Sequence, residues 1–87
     1  MTIMNDKIIC EVFLPASSAS FDVRIPRHLR MSEVMSLLSY AMIELSGGSF
    51  APTKETTVCD KNTGAILNLN MNADELGLVN GSALMLV

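Results

Sequence analysis

The chain has 87 residues, which gives it room for one domain with a single hydrophobic core. Hydrophobic residues make up 49% of it, and its net charge is −3 with only six Lys and Arg residues, a balance that argues against nucleic-acid binding. No apolar run reaches the roughly 18 residues of a membrane span, and the N-terminus lacks the pattern of a signal peptide, so a cytoplasmic protein without direct membrane insertion is expected. Residues 1–6 are expected to form a flexible N-terminal tail.

The first two predicted elements are strands that form an antiparallel hairpin. Between residues 7 and 14 every second residue is apolar, which predicts a strand with one buried face that includes Cys10. A short loop of small residues follows, and the alternation resumes over residues 20–25. Pro26 ends the second strand because it has no N–H group for the ladder.

An amphipathic helix is predicted over residues 31–45, where the apolar period changes from 2 to 3.6. Ser32 is a plausible N-cap, and the Gly47-Gly48 pair ends the helix. The predicted buried stripe consists of Met31, Val34, Leu38, Ala41, Met42 and Leu45. Tyr40 and Ile43 fall on the opposite, polar side.

The second half of the chain contains short elements. Residues 57–60 and 65–68 are predicted to be the third and fourth strands, with a turn between them. Residues 73–76 are predicted to form a helical turn, which is followed by a tight turn at Asn80-Gly81 and a last strand over residues 83–87.

The last strand is expected to lie beside the first strand and parallel to it, because each has a full apolar face. Leu84 and Leu86 then face the core, while Met85 and Val87 face outward. A helix packed on one face of a mixed sheet buries every apolar stripe at once, which predicts an α+β fold.

Two segments resemble known proteins. The segment L-G-L-V-N-G-S-A-L-M-L-V resembles the end of ubiquitin-like domains, and F-D-V-R-I-P, which leads into the helix, is similar to the YukD/EsaB-type ubiquitin-like accessory proteins of bacterial type VII secretion systems. The resemblance spans residues 21–87. It implies a single β-grasp domain over residues 1–87, with a mixed five-stranded sheet in the order 2-1-5-3-4, one main helix and a short helical turn.

The implied strand order separates the two cysteines. Cys10 lies on strand one and Cys59 on strand three, so they are two strand spacings apart, or about 9.5 Å. That distance exceeds the roughly 7 Å between Cα atoms that a disulfide spans, so free thiols are expected.

The sequence shows no set of catalytic, cofactor-binding or metal-ligating residues. His28 is the only histidine and is interpreted as a solvated loop residue, while Asp74 and Glu75 suit the start of the helical turn. A Cys10–His28 dyad is disfavoured because Cys10 alternates into the core. We therefore expect a protein that is not an enzyme and needs no cofactor.

Ubiquitin and the sulfur carriers of the same fold act through a free Gly-Gly terminus, whereas this sequence ends on Leu86-Val87. Two alternatives stay open beside an accessory protein. One is the cytosolic ubiquitin-like domain of a multi-spanning transporter subunit, and the other is a modifier or sulfur carrier whose Gly-Gly tail is missing.

A binding surface remains as the expected functional feature. Ile9, Phe13, Met85 and Val87 are predicted to share the sheet face that points away from the helix, among charged neighbours. The resemblance implies protein components of a type VII secretion system as partners, with a homodimer as a second possibility. The expected role is that of an adaptor or regulatory component.

Overall fold

Four strands and one helix form the fold in the computed structural model, which describes residues 6–87. The elements are β1 (Lys7–Leu14), β2 (Ala19–Pro26), α1 (Met31–Leu45), β3 (Val58–Asp60) and β4 (Ala83–Leu86). The flexible tail expected at residues 1–6 lies, apart from Asp6, outside the described residues.

The sheet has the order β2-β1-β4-β3. β1 and β2 are antiparallel over their whole length, from Lys7 opposite Pro26 to Leu14 opposite Ala19. β4 runs parallel to β1, with Val12 opposite Leu84, and β3 is antiparallel to β4. The predicted hairpin, the central position of the last strand and the α+β class are therefore confirmed.

The predicted count of five strands is wrong for the described residues. The segment predicted as the fourth strand forms a single bridge, between Cys59 and Ile66, with backbone bonds of 2.9 and 3.0 Å on either side of it. Asn68 then turns the chain, because its side-chain oxygen accepts the backbone N–H of Asn70 and its carbonyl accepts that of Met71. This turn leaves no room for a longer ladder.

The core lies between α1 and one face of the sheet. Its members come from β1, β2, α1, β3 and β4 and from three loop positions, and the fully buried side chains include Val12, Leu14, Met42 and Leu84. Burying one such side chain contributes about 1.5–3 kcal/mol. Cys10 also lies in this core, as its alternation predicts.

Leu45 does not join the core, contrary to the helical-wheel prediction, and is 51% exposed. The helix buries no residue beyond Met42. After the helix the chain reverses at Gly47, whose φ of 65° is the left-handed conformation of a C-terminal glycine. Phe50 then supplies the next buried side chain in place of Leu45.

The N-terminus of α1 is held by the tertiary structure, not by Ser32. The N-cap residue is Arg30, and its side chain makes no capping hydrogen bond. Instead the N–H groups of Met31 and Ser32 donate to the carbonyls of Met71 and Leu69, each at 2.9 Å. The segment before the helical turn therefore satisfies N–H groups that a helix leaves without partners.

The predicted helical turn is closed at both ends. Asn72 Oδ1 accepts the N–H of Glu75 at 2.9 Å, and Glu75 Oε1 accepts the N–H of Asn72 at 3.0 Å, which is a capping box. At the other end Leu78 N–H donates to the Ala73 carbonyl, while Gly77, at a φ of 75°, makes the reversal. The turn places Ala73 and Leu78 in the core.

Asn72→Ala is expected to lower the free energy of unfolding by about 1 kcal/mol, because it removes one bond of the capping box. Urea unfolding of the two proteins measures the difference. The matched control is Asn62→Ala, since Asn62 lies on an exposed turn and contributes only its backbone N–H to a hydrogen bond there. Equal losses in the two variants would contradict a stabilising role for the capping box.

Candidate interaction surface

A row of apolar side chains crosses the sheet face opposite the helix. Phe13 lies in register with Met85, Met85 with Cys59, and Cys59 forms a bridge to Ile66. Side chains that pair across neighbouring strands share a face of the sheet. Because Leu84 and Leu86 on either side of Met85 are in the core, this row points outward.

Val87 follows the last residue of β4 and, by alternation, lies on the same face of the sheet as Met85. It is exposed and lies two residues beyond Met85, and its N–H and carbonyl bond to Thr57 at 2.9 and 2.8 Å. We call the five residues Phe13, Cys59, Ile66, Met85 and Val87 the sheet patch. Ile66 is 70% exposed, whereas Cys59 in the middle of the patch is only 4% exposed. The patch is therefore closely packed at its centre and exposed at its edge.

Ile9 lies apart from the sheet patch, although it is exposed on the same face. A row formed by Glu11, Ala83 and Lys61 separates it from Phe13 and Met85. The neighbour of Ile9 across the hairpin is Arg24. Of the four residues that the sequence predicts as a binding surface, the structure therefore brings three together and places the fourth beyond a charged row.

The charged row contacts the sheet patch through Lys61. The Lys61 Nζ atom lies 3.4 Å from Glu11 Oε1 and 4.7 Å from the centroid of the Phe13 ring. Both charged side chains are partly exposed, so the ion pair adds little stability. The pair places one positive and one negative side chain at an edge of the apolar patch, and protein interfaces often have such a polar edge.

The two cysteines are free and lie on opposite faces of the sheet. Cys10 is completely buried in the core, and burial raises the pKa of its thiol from 9.0 to about 11. A nucleophilic cysteine needs a lowered pKa, so the environment of Cys10 opposes reactivity at neutral pH.

A second polar cluster joins the loop before α1 to the helical turn. Arg27 Nε donates to Asp74 Oδ1 at 2.9 Å, and His28 Nδ1 lies 3.6 Å from Asp74 Oδ2. The Asp74 carboxylate therefore already has partners, and the cluster ties two loops together. Among residues 6–87 no group of three or more His, Cys, Asp or Glu side chains is placed to hold a metal ion.

The sequence missed Cys59, Ile66 and Lys61 as parts of this surface. A strand as short as β3, with three residues, shows no alternation from which its outward side can be read. The sequence predicts a strand that contains Ile66 but not the direction of its side chain, and only the bridge to Cys59 places Ile66 next to Cys59 at the end of the row.

None of the helices in the described part of the chain is both long enough and apolar enough to cross a membrane.

One family profile matches the chain. It is described as "WXG100 protein secretion system (Wss), protein YukD", and the match covers residues 9–86. No curated protein sequence matches significantly.

Solved structures with the same fold come from several kinds of protein. The EccD5 ubiquitin-like domain from Mycobacterium xenopi is 17% identical, with 93% of this chain and 92% of that chain covered and a TM-score of 0.67. A chain of the MycP5-free ESX-5 inner membrane complex is 15% identical, with a TM-score of 0.71, and the match covers 94% of this chain but only 21% of that one. A chain of the toluene 4-monooxygenase HD complex with 4-bromobenzoate is also 15% identical, with 93% and 96% covered and a TM-score of 0.76. At these identities the likeness shows the shared fold alone.

The raised pKa of Cys10 predicts a loss of stability in alkaline solution. The thiol stays protonated in the folded chain up to a pH of about 11, whereas in the unfolded chain it ionises near pH 9.0. The buried, protonated thiol therefore contributes fully to the stability of the fold below pH 9.0. This contribution is lost as the pH rises toward 11 and beyond, by on the order of 3 kcal/mol in total.

Urea unfolding at several pH values from 8 to 11 measures this effect (a range chosen to bracket the two Cys10 pKa values). The Cys10→Ala variant is less stable at pH 8 because it leaves a small cavity, but its stability should fall less steeply above pH 9.0. Parallel pH profiles for the two proteins would show that Cys10 does not cause the loss.

Proposed function

The chain belongs to the YukD family of the WXG100 protein secretion system, and on that premise we propose that it is a non-catalytic adaptor that binds a protein component of a type VII secretion machine. The sheet patch is the contact surface. Its partner is a cytoplasmic segment of the machine, so the chain works in the cytoplasm beside the membrane complex.

The observation that supports this proposal most directly is the continuity of the sheet patch. Phe13, Met85 and Cys59 are adjacent in register across three strands, and Ile66 and Val87 extend the same surface. Contiguous apolar surface rimmed by polar residues is typical of protein-binding sites. Here the row that contains Glu11 and Lys61, which are paired with each other, borders the patch on one side.

The polar groups favour binding over catalysis. Burial keeps the Cys10 thiol protonated at neutral pH, and Asp74 is engaged by Arg27 and His28. A catalytic site needs a nucleophile or base that is free to reach a substrate. Neither of these groups meets that requirement.

Met85→Asp and Val87→Asp are expected to weaken binding to the purified membrane complex of a WXG100 secretion system by about tenfold or more, because each places a charge in an apolar contact. Surface plasmon resonance with the complex in detergent measures the affinity. Val79→Asp is the matched control, since Val79 is exposed and apolar but lies outside the sheet patch. Two-dimensional NMR spectra verify that each variant is folded.

Unchanged affinity in both patch variants would contradict the proposal, as would an equal loss in Val79→Asp. Ile9→Asp tests whether the partner extends across the charged row, and a smaller loss than in Met85→Asp is expected. Self-association of the unsubstituted chain that Met85→Asp abolishes, with no binding to the complex, would assign the sheet patch to a homodimer instead.

A further inference from the structure

The outward side of α1 carries apolar residues that the core does not use. Leu37, Tyr40, Ile43 and Leu45 are all exposed, and Tyr40 is exposed by 78%. The buried residues of the same helix are Met31, Val34, Leu38 and Met42. Because α1 packs against the inner face of the sheet, this surface lies on the opposite side of the domain from the sheet patch.

Four exposed residues form one line along this side of the helix. Glu33, Leu37, Tyr40 and Glu44 are spaced by four, three and four residues, which keeps them on a single face over about 16 Å. We call these four residues the helix stripe. Two apolar side chains form its middle and a carboxylate stands at each end, and this spacing is the one by which helices pack side by side.

The charges of α1 are of one sign only. Within Met31–Leu45 the ionisable side chains other than Tyr40 are Glu33 and Glu44, and no basic residue lies in the last turn. Glu44 is close to the C-terminal end, where the helix dipole already favours positive charge. A positively charged group from outside would therefore be stabilised beside Glu44.

A second copy of the chain does not fit the helix stripe. In a parallel pairing Glu33 meets Glu33 and Glu44 meets Glu44, and in an antiparallel pairing each Glu33 meets the Glu44 of the other copy. Both arrangements place carboxylates opposite carboxylates, which is unfavourable. An anionic membrane surface is repelled for the same reason.

From the spacing and the charges we propose that the helix stripe binds an amphipathic helix of a partner protein. That helix carries two neighbouring apolar residues for Leu37 and Tyr40, with Lys or Arg at the flanking positions to face Glu33 and Glu44. The proposal stands independently of the sheet patch, because it depends on the opposite side of the domain. With both surfaces occupied, the chain connects two protein segments.

The test uses two synthetic amphipathic helical peptides with the same leucine face, one with Lys and the other with Glu at the flanking positions. The probe is the backbone amide spectrum of the 15N-labelled full chain. The Lys peptide is expected to shift the amides of Leu37, Tyr40 and Glu44, and to bind at least about tenfold more tightly than the Glu peptide. Added salt should weaken the Lys complex.

A charge-reversal pair of variants separates a specific contact from general attraction to an acidic protein. Glu33→Lys together with Glu44→Lys should reverse the preference in favour of the Glu peptide. The matched control, Asp22→Lys together with Glu55→Lys, makes the same change in net charge at exposed positions outside the helix stripe and should keep the Lys preference. Met85→Asp should also leave peptide binding unchanged, so failure of the sheet patch and failure of the helix stripe are distinguishable.

Four results of the peptide experiments would overturn the proposal. They are equal affinity for the two peptides, Lys-peptide shifts confined to the sheet patch, a reversal of preference in the control variant, and no binding of either peptide. Shifts of the Tyr40 amide that grow with protein concentration would assign the helix stripe to self-association. Shifts caused by vesicles of phosphatidylglycerol would assign it to a lipid surface.

Discussion

The parallel pairing of β1 with β4 is the contact on which the rest of the structure depends. It joins the start of the chain to its end, with Val12 opposite Leu84 and both side chains fully buried. The contact continues before the start of β4, because Ile9 N–H donates to Asn80 Oδ1 at 2.8 Å, across 71 positions of sequence, and Gly81 N–H donates to the Ile9 carbonyl. A pairing between such distant residues has a large entropic cost of loop closure. It therefore forms only together with the core, whose burial offsets that cost.

The same pairing divides the molecule into two faces. The pleat of β4 sends Leu84 and Leu86 to the helix side and Met85 to the other side. Since β1 and β3 flank β4, Phe13 and Cys59 are aligned with Met85 as a consequence of register. The alternation of β4 thus contributes side chains both to the core and to the proposed binding surface. A shift of its register by one residue would exchange the side chains on the two faces.

The helix is coupled to the second half of the chain through its N-terminus. Carbonyls of Leu69 and Met71 accept the N–H groups of Ser32 and Met31, and Arg30 forms a bridge with Asn72. The helical turn that follows is fixed by its own capping box, so the whole connection is short and well bonded. With α1 held at this end and packed on the sheet, the helix stripe and the sheet patch lie on opposite sides of the domain.

Local periodicity by itself determined the hairpin, the extent of the main helix and which side chains of β1 and β4 face the core. These features follow from alternation and from the positions of Pro26 and the Gly47-Gly48 pair, which act within a few residues of sequence. The short segments around Cys59 and Ile66 carry too few residues for a period to appear. The sequence pattern therefore overestimated the fourth strand, and it did not show that Cys59 lies beside Met85 and Ile66 beside Cys59. Leu45 and Ser32 were misassigned for a related reason, since burial at a helix end and the partners of its first N–H groups depend on which distant segment packs there. Only the tertiary structure decided that Glu11 and Lys61 separate Ile9 from Phe13, because cross-strand register depends on pairings that join residues far apart in the chain.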